Sequence, residues 1–332
     1  MDDAEQRSLQ ALEDELLGGQ RRYTRSEVAE RAGVDIELAR TLWRALGFAD
    51  VEDDRIAFTD RDVEALRTVR SLVETGIIDD ETQLSVTRAM GQSLSRLADW
   101  QVATITEALE RPAPLTPQDA SAVARELVPV MEGLIGYVWR RHLAAMAGRV
   151  FAGERDDASA AGSMVVGFAD LVSFTSLTRH ADDQELAAVV ERFEGVAADV
   201  VAEGGGRVVK MVGDEVMFTA GDAGQGAEIA MCLAERIGAD DDLPDVRVGA
   251  AYGALLSRLG DVYGEPVNIA SRLTSTARPG SVLVDKELAT ALENDGRWRL
   301  RRVPPRPVRG YSLLQGFRLR RADDADSPSL GS

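Results

Sequence analysis

Lysine and cysteine are almost absent from this 332-residue chain. Its one cysteine, Cys232, excludes an intrachain disulfide and is consistent with a reducing compartment. Only two of its 38 basic residues are lysines, Lys210 and Lys286. The stretch KMVGDEVMF, residues 210–218, therefore places a scarce lysine four residues before Asp214, in an otherwise apolar segment around a glycine turn.

Positive charge is also in short supply, because the formal net charge is −18. This argues against sequence-independent binding of nucleic acid and against binding to an anionic membrane. Binding of a polyphosphate would need a locally placed cation or metal ion.

Long apolar runs are missing as well. The longest, residues 127–139, contains Pro129 and Glu132 and is too short to span a bilayer. The N-terminus MDDAEQRSLQ has neither the basic nor the apolar region of a signal peptide. We therefore expect a cytoplasmic protein without a transmembrane segment.

Residues 1–150 are predicted to be mostly helical, because apolar residues recur at intervals of three and four. Thr24 or Ser26 can cap a helix that ends at Gly33, and Asp35 can cap a second helix that ends at Gly47. This is a helix-turn-helix pattern over residues 23–48. With a short strand predicted at 55–58, it resembles the start of a MerR-type winged helix.

A DNA-binding role for this segment is disfavoured by its charge. Residues 1–111 contain 14 arginines, no lysine and 24 acidic residues. A recognition helix needs basic residues for phosphates and base edges, but the second helix carries acids beside Arg40 and Arg44. We expect a helical packing module used for regulation or dimerisation, with no nucleic-acid partner.

The remaining chain divides by composition. Residues 117–150 are predicted to form one or two amphipathic connecting helices, and residues 151–163 a polar, small-residue linker. Residues 164–321 alternate strands and helices in the order β-α-β-β-α-β with extra strands, which predicts a ferredoxin-like α+β domain. Residues 322–332 are acidic and predicted to be disordered.

Two motifs in the α+β domain favour metal and phosphate binding. In GFADLVSFTSL, Asp170 ends an apolar strand, and the backbone N–H groups of Ser173, Phe174 and Thr175 can face a phosphate at a helix start. In KMVGDEVMF, Asp214 lies at a hairpin turn. Two strand-end carboxylates on neighbouring strands can share divalent cations that clamp a phosphoryl group.

A third motif, GDVYGEPVNIASRL, places Asn268 and Arg272 four residues apart on a predicted helix. They share one face of that helix. An amide and a guanidinium on one face can bind a ribose and a charged phosphate.

Together and in this order, the three motifs resemble the catalytic domain of class III adenylyl cyclases, over residues 163–321. The resemblance implies that Asp170 and Asp214 hold two Mg²⁺ or Mn²⁺ ions on the phosphates of ATP. It implies that Lys210 and Asp261 select adenine.

The resemblance further implies that Asn268 orients the ribose and that Arg272 neutralises charge in the transition state. The expected reaction is attack of the ribose 3′-OH on the α-phosphate, giving 3′,5′-cyclic AMP and pyrophosphate. No position of this set departs from the family pattern, so an active enzyme is expected.

In this family the active site lies at a head-to-tail dimer interface, so a homodimer with two equivalent sites is implied. One chain gives both metal-binding aspartates, and the other gives Lys210, Asp261, Asn268 and Arg272. The helical N-terminal half resembles that of soluble mycobacterial-type cyclases. This resemblance implies an inhibitory regulatory domain that responds to pH, a lipid or a small molecule.

Two alternatives remain at this point. The turn VGDEV superficially resembles the signature of diguanylate cyclases, although Val212 stands where that signature has a glycine. A GTP-using cyclase is thus one alternative. The other is a transcription regulator with an inactive cyclase-like domain.

Overall fold

The computed structural model describes residues 3–109, 116–151, 163–179, 181–258, 260–308 and 311–323. Internal contacts divide the chain into two units, residues 1–152 and 153–332. Nearly all of the predicted linker (151–163) and of the predicted disordered tail (322–332) lies outside the described residues.

The described part of the N-terminal unit is helical. Its helices are α1 Asp3–Leu17, α2 Arg25–Ala32, α3 Ile36–Leu46, α4 Asp60–Glu74, α5 Asp80–Leu109 and α6 Pro117–Phe151.

The helix-turn-helix prediction is confirmed at the level of its caps. The Thr24 side chain accepts a hydrogen bond from the Glu27 backbone N–H, and Asp35 caps α3 in the same way. Gly33 and Gly47 end the two helices at φ values of 69° and 84°, which favour glycine. The predicted strand at 55–58 is wrong, since only an isolated bridge between Tyr23 and Phe58 forms.

The helix-turn-helix packs around aromatic and aliphatic side chains. The rings of Trp43 and Phe58 stack with their centroids 4.5 Å apart. Val28 and Ala39 are fully buried beside them. The helix-turn-helix segment therefore has a small hydrophobic core of its own.

Helix α6 is one continuous helix, although Pro129 lies inside it. Many of its apolar side chains face solvent in the single chain, with Tyr137 61% and Trp139 60% exposed. Large apolar side chains that stay exposed on a long helix are typical of an interaction surface.

The C-terminal unit combines strands and helices. In chain order they are β1 Ser163–Leu171, α7 Phe174–Leu177, α8 Asp183–Glu203, β2 Arg207–Val212, β3 Glu215–Ala220, α9 Ala223–Gly238, β4 Val246–Ala254, β5 Leu256–Arg258, β6 Asp261–Tyr263, α10 Glu265–Thr276, β7 Ser281–Val284, α11 Lys286–Ala291, β8 Trp298–Arg302, β9 Arg306–Val308, β10 Tyr311–Leu314 and β11 Phe317–Arg321.

Seven strands form one sheet in the order β2-β3-β1-β4-β7-β11-β8. The first four follow the ferredoxin-like plan, with β1 between β3 and β4 and antiparallel to both. The predicted α+β architecture with extra strands is confirmed. The prediction of a loop after β4 is wrong, because β5 and β6 form a short hairpin there.

The two faces of the sheet bury different helices. Val165 and Ala169 of β1 pack in the larger core, which includes residues of α8 and α9. Val166 and Phe168 alternate with them and pack in a second core that includes Ala270 of α10. Asp170 continues the second series, so its position on β1 is on the α10 face.

Helix α10 approaches β4 so closely that only glycine fits at position 249. A Cβ atom there would lie 2.2 Å from the backbone N of Thr274 and 2.5 Å from the carbonyl O of Ala270. Backbone atoms cannot move aside as a flexible side chain can. Gly249 thereby sets the distance of α10 from the sheet.

We expect Gly249→Ala to destabilise the C-terminal unit by roughly 1–3 kcal/mol, because α10 must shift away from β4. A lower urea midpoint for that unit would show this. Gly238→Ala is the matched control, since nothing lies within 4 Å of the added Cβ atom. Equal midpoints for the two variants would contradict the packing argument.

Candidate active site

Asp170 lies in a row of three charged residues across neighbouring strands. It is opposite Glu215 of β3 on one side and Arg247 of β4 on the other. The Arg247 guanidinium donates a hydrogen bond to the Asp170 carboxylate and forms an ion pair with it. A strand-end carboxylate thus faces a cation on one side and a second carboxylate on the other.

Asp214 is brought to the same sheet end by the turn between β2 and β3. Gly213 precedes it with φ 61°, the left-handed conformation that a tight turn requires. The Leu171 N–H donates to the Asp214 carbonyl O at 3.0 Å, which fastens the turn to the end of β1. The structure therefore makes Asp170 and Asp214 neighbours.

The carboxylates influence each other. Burial raises the pKa of Asp170, Arg247 opposes this, and the charge of Asp214 adds to the rise. Burial, followed by the charges of Asp170 and Asp214, raises the pKa of Glu215. Such crowding of like charges is relieved by a bound cation.

The segment after β1 is a tight turn into the single-turn helix α7. Ser173 has φ 63°, the one positive φ among the described non-glycine residues. Its carbonyl accepts a hydrogen bond from the Leu177 N–H at 3.1 Å. Held in this sparsely populated conformation, Ser173 places Phe174 and Thr175 directly after β1.

Lys210 and Asp261 are joined directly, although 51 residues separate them. The Lys210 ammonium donates to the Asp261 carboxylate at 2.7 Å. Lys210 is opposite Met217 of β3, whose side chain belongs to the core on the α10 face. Partial burial raises the pKa of Asp261, but the hydrogen bonds from Lys210 and the Val262 N–H outweigh it and leave this pKa below its ordinary value.

Asn268 and Arg272 lie on α10, as their spacing predicts. Asn268 is exposed and Arg272 is half-buried. Within the described part of the chain, neither side chain has a hydrogen-bond or ion-pair partner, so both groups are available to a ligand.

The residues fit a hard divalent cation. Within the described ranges, no group of three or more His, Cys, Asp or Glu side chains is arranged to hold a metal ion. Two carboxylates suffice for Mg²⁺ or Mn²⁺ when substrate phosphates supply further oxygen ligands. The crowded pair Asp170 and Asp214 matches that donor set.

Sequence reasoning missed two members of this site. Arg247 is a charged residue in the apolar strand VRVGAAYGA, the same signal that identified Asp170. Glu215 follows Asp214 at the hairpin and lies directly opposite Asp170. Neither pairing can be derived without the strand register.

Comparison with known proteins matches both units. Residues 3–148 match the family model of the adenylate cyclase regulatory domain, and residues 157–320 match that of the adenylate and guanylate cyclase catalytic domain. An adenylate cyclase of Streptomyces coelicolor is 42% identical over 341 residues, with 94% of this chain and 89% of the relative covered. The chain belongs to the class III adenylate cyclases.

A second adenylate cyclase, from Glutamicibacter nicotianae, is 40% identical, with 95% of this chain and 83% of the relative covered. A pH-sensitive adenylate cyclase of Mycobacterium tuberculosis is 34% identical, with 89% and 77% covered. The solved structure of the adenylyl cyclase CyaB from P. aeruginosa is 22% identical, covers 51% of this chain and 97% of its own, and has a TM-score of 0.41.

This adenylate cyclase converts ATP to cyclic AMP. Membership of the family decides against the diguanylate cyclase and against an inactive cyclase-like regulator.

The two arginines on the second helix of the helix-turn-helix form ion pairs, Arg40 with Asp53 and Arg44 with Asp50. Across the described residues, no helix has both the length and the apolar character needed to cross a membrane.

Proposed function

We propose that this adenylate cyclase works by two-metal-assisted attack of the ribose 3′-OH on the α-phosphate of ATP, in active sites shared between two chains. Asp170 and Asp214 hold the two ions. When bound, the ions supply Lewis-acid activation of the 3′-OH and stabilise the leaving pyrophosphate. The hydrogen bond from the Leu171 N–H to the Asp214 carbonyl O supports the assignment, because it holds the turn that carries Asp214 against the end of β1.

Arg247 is placed to serve the phosphates when Asp170 and Asp214 hold metal ions. In the single chain this guanidinium compensates the charge of Asp170. With a cation held by Asp170 and Asp214, the guanidinium of Arg247 would be free to bind a phosphate oxygen at the same strand end. Ser173, Phe174 and Thr175 offer backbone N–H groups to the phosphates.

The observation that carries the substrate assignment is the pair of Lys210 and Asp261 at 2.7 Å. The Watson–Crick edge of adenine presents an acceptor at N1 and a donor at the 6-amino group. A lysine donates to the first and an aspartate accepts from the second. Guanine presents the opposite pattern, so this pair rejects GTP.

Asn268 and Arg272 act on the reacting end of the substrate. Asn268 orients the ribose through its amide, and Arg272 neutralises the charge that develops on the α-phosphate. Their shared helix is held against β4 at Gly249. That close packing supports a fixed position for both groups.

Cyclic nucleotide formation by the purified full-length protein tests the proposal. With Mn²⁺ over a range of pH, we expect cyclic AMP from ATP and little product from GTP. Equal turnover of both nucleotides would contradict the role of the Lys210–Asp261 pair.

The two lysines of the chain provide a sharper test. Lys210→Ala should lower kcat/KM for ATP by about 10- to 100-fold, because a charged hydrogen bond to the base is lost. Its preference for ATP over GTP should fall with it. Lys286→Ala removes the other lysine, exposed at the start of α11, and should leave both values unchanged.

The shared site needs a homodimer, and the N-terminal unit supports one. Trp139 and Tyr137 of α6 are mostly exposed in the single chain. Pairing with a second copy would remove that surface from water. The same unit is then placed to regulate the catalytic pair by changing how two chains meet.

We propose that this regulation is inhibitory and responds to pH, a lipid or a small molecule. The pH-sensitive relative supports the first of these signals. Residues 151–332 alone should form cyclic AMP faster than the full chain under at least one condition of pH. A segment that is never faster would argue against inhibition.

A further inference from the structure

The end of the sheet formed by β8 and β11 concentrates positive charge in an acidic protein. Residues 298–321 contain eight arginines and no Asp or Glu, while the whole chain carries a net charge of −18. None of these arginines belongs to the proposed catalytic site. Their concentration in one segment requires a separate explanation.

The strand register collects four of these arginines on one face. Arg301 lies opposite Arg318, and Arg299 lies opposite Arg320. Arg318 is also opposite Leu283 of β7, whose side chain packs against α10. These four arginines are thus on the α10 face of the sheet, on the two strands beyond β7.

A cavity of about 250 Å³ opens at this place. Its charged lining consists of Arg278, Arg301, Arg302, Arg306 and Arg318. Its apolar lining includes Leu273, Leu283, Val303 and Leu314. We call this space the arginine cavity.

The described residues do not neutralise the charge of the arginine cavity. Within the described part of the chain, no acidic side chain pairs with Arg278, Arg301, Arg306 or Arg318. By contrast, neighbouring Arg321 is held by Glu228 and Glu235. Burial, together with the like charges of Arg320, Arg278 and Arg301, lowers the pKa of Arg318.

Like charges that converge on a cavity without a counterion destabilise the empty site and favour an anion. Guanidinium groups bind phosphate oxygens through two parallel N–H donors, so several together suit a phosphate dianion. The apolar lining suits the organic part of such a ligand. The volume lies just below the usual range for ligand pockets, which favours a small molecule over a polymer.

We propose that the arginine cavity binds a small organic phosphate, with the phosphate on Arg301 and Arg318 and the organic part against Leu283 and Leu314. The phosphate chemistry is the same in a soluble phosphomonoester and in a phospholipid headgroup. The site is separate from the metal-binding carboxylates and from the Lys210–Asp261 pair.

Calorimetric titration of the full-length protein with 1-naphthyl phosphate tests the proposal. The titration is run with EDTA and without ATP, so its result does not depend on the proposed cyclase mechanism. We expect one ligand per chain and weaker binding at high salt. Inorganic phosphate, without the organic part, and 1-naphthol, without the charge, should each bind at least about tenfold more weakly.

The variant Arg301→Gln with Arg318→Gln should weaken binding of 1-naphthyl phosphate at least about tenfold. Arg301→Lys with Arg318→Lys should keep part of the affinity, which separates loss of charge from loss of fold. The control is Arg192→Gln with Arg236→Gln, an equal charge change on α8 and α9 on the other face of the sheet. It should bind like the unmodified protein.

Three results would overturn the proposal: no binding of 1-naphthyl phosphate, equal binding of inorganic phosphate, or equal loss of affinity in the control variant.

Co-sedimentation with phosphatidic acid vesicles separates the two sources of phosphate. Vesicle binding that is lost only in the Arg301/Arg318 variant would assign the site to a lipid headgroup. Binding of 1-naphthyl phosphate without vesicle binding would assign it to a soluble phosphomonoester.

Discussion

Asp170→Ala, and separately Asp214→Ala, should lower cyclic AMP formation by about a thousandfold or more, because each removes a carboxylate from the pair that holds the cations. Removal of Asp170 has a second effect, on Arg247. Its carboxylate is joined to Arg247, so its removal also leaves a half-buried guanidinium without its acidic partner. Initial rates with Mn²⁺ and saturating ATP measure the loss.

Two controls separate metal binding from folding. Asp170→Asn keeps the volume and a hydrogen-bond acceptor for Arg247 but removes the negative charge, so it should be as inactive as the alanine variant. Asp199→Ala removes an exposed carboxylate from α8, on the other face of the sheet, and should keep full activity. Near-normal rates in Asp170→Asn would contradict the metal assignment.

Titration of free Mn²⁺ by electron paramagnetic resonance gives a second readout for the same variants. The unmodified protein with a non-reactive ATP analogue should retain more Mn²⁺ than either aspartate variant. If Asp170→Asn loses activity but retains Mn²⁺ equally well, the carboxylate acts on something other than the metal.

Local signals in the sequence predicted the elements well where a residue's own chemistry decides the structure. The caps at Thr24 and Asp35 and the left-handed glycines at 33 and 47 are of this kind. The β-α-β-β-α-β order also follows from local periodicity. Each of these inferences needs only neighbouring residues.

Features that depend on distant partners could not be obtained in this way. Asp170 lies opposite Glu215 and Arg247 because of the strand register. A shift of one residue in that register would separate the three side chains. The contact of Lys210 with Asp261 joins β2 to a hairpin that local patterns did not reveal. That pairing was expected from the family resemblance, not from spacing.

Helix α6 resolves a choice that the sequence left open. One or two helices were expected over 117–150. A proline inside a helix removes one hydrogen bond and favours a break or kink. The structure has a single helix through Pro129. A long run of helix-compatible residues on both sides outweighs the local cost of the proline.

Mixing two inactive variants should restore activity if each active site draws on two chains. Asp170→Ala destroys the metal-binding side of a site, and Arg272→Ala destroys the side on α10. In a mixed dimer, both defects fall in one site and the other site is intact. Random exchange of chains in an equal mixture makes half of the dimers mixed, so activity should recover to about a quarter of the unmodified value.

The matched control mixes Asp170→Ala with Asp214→Ala. Both defects then lie on the metal-binding side, so each site of a mixed dimer still lacks one carboxylate and no recovery is expected. Differently tagged chains and pull-down confirm that exchange has occurred in both mixtures. Recovery in neither mixture after confirmed exchange would place Asp170 and Arg272 in a site within one chain. Recovery in the first mixture alone requires that Asp170 of one chain and Arg272 of the other serve the same ATP.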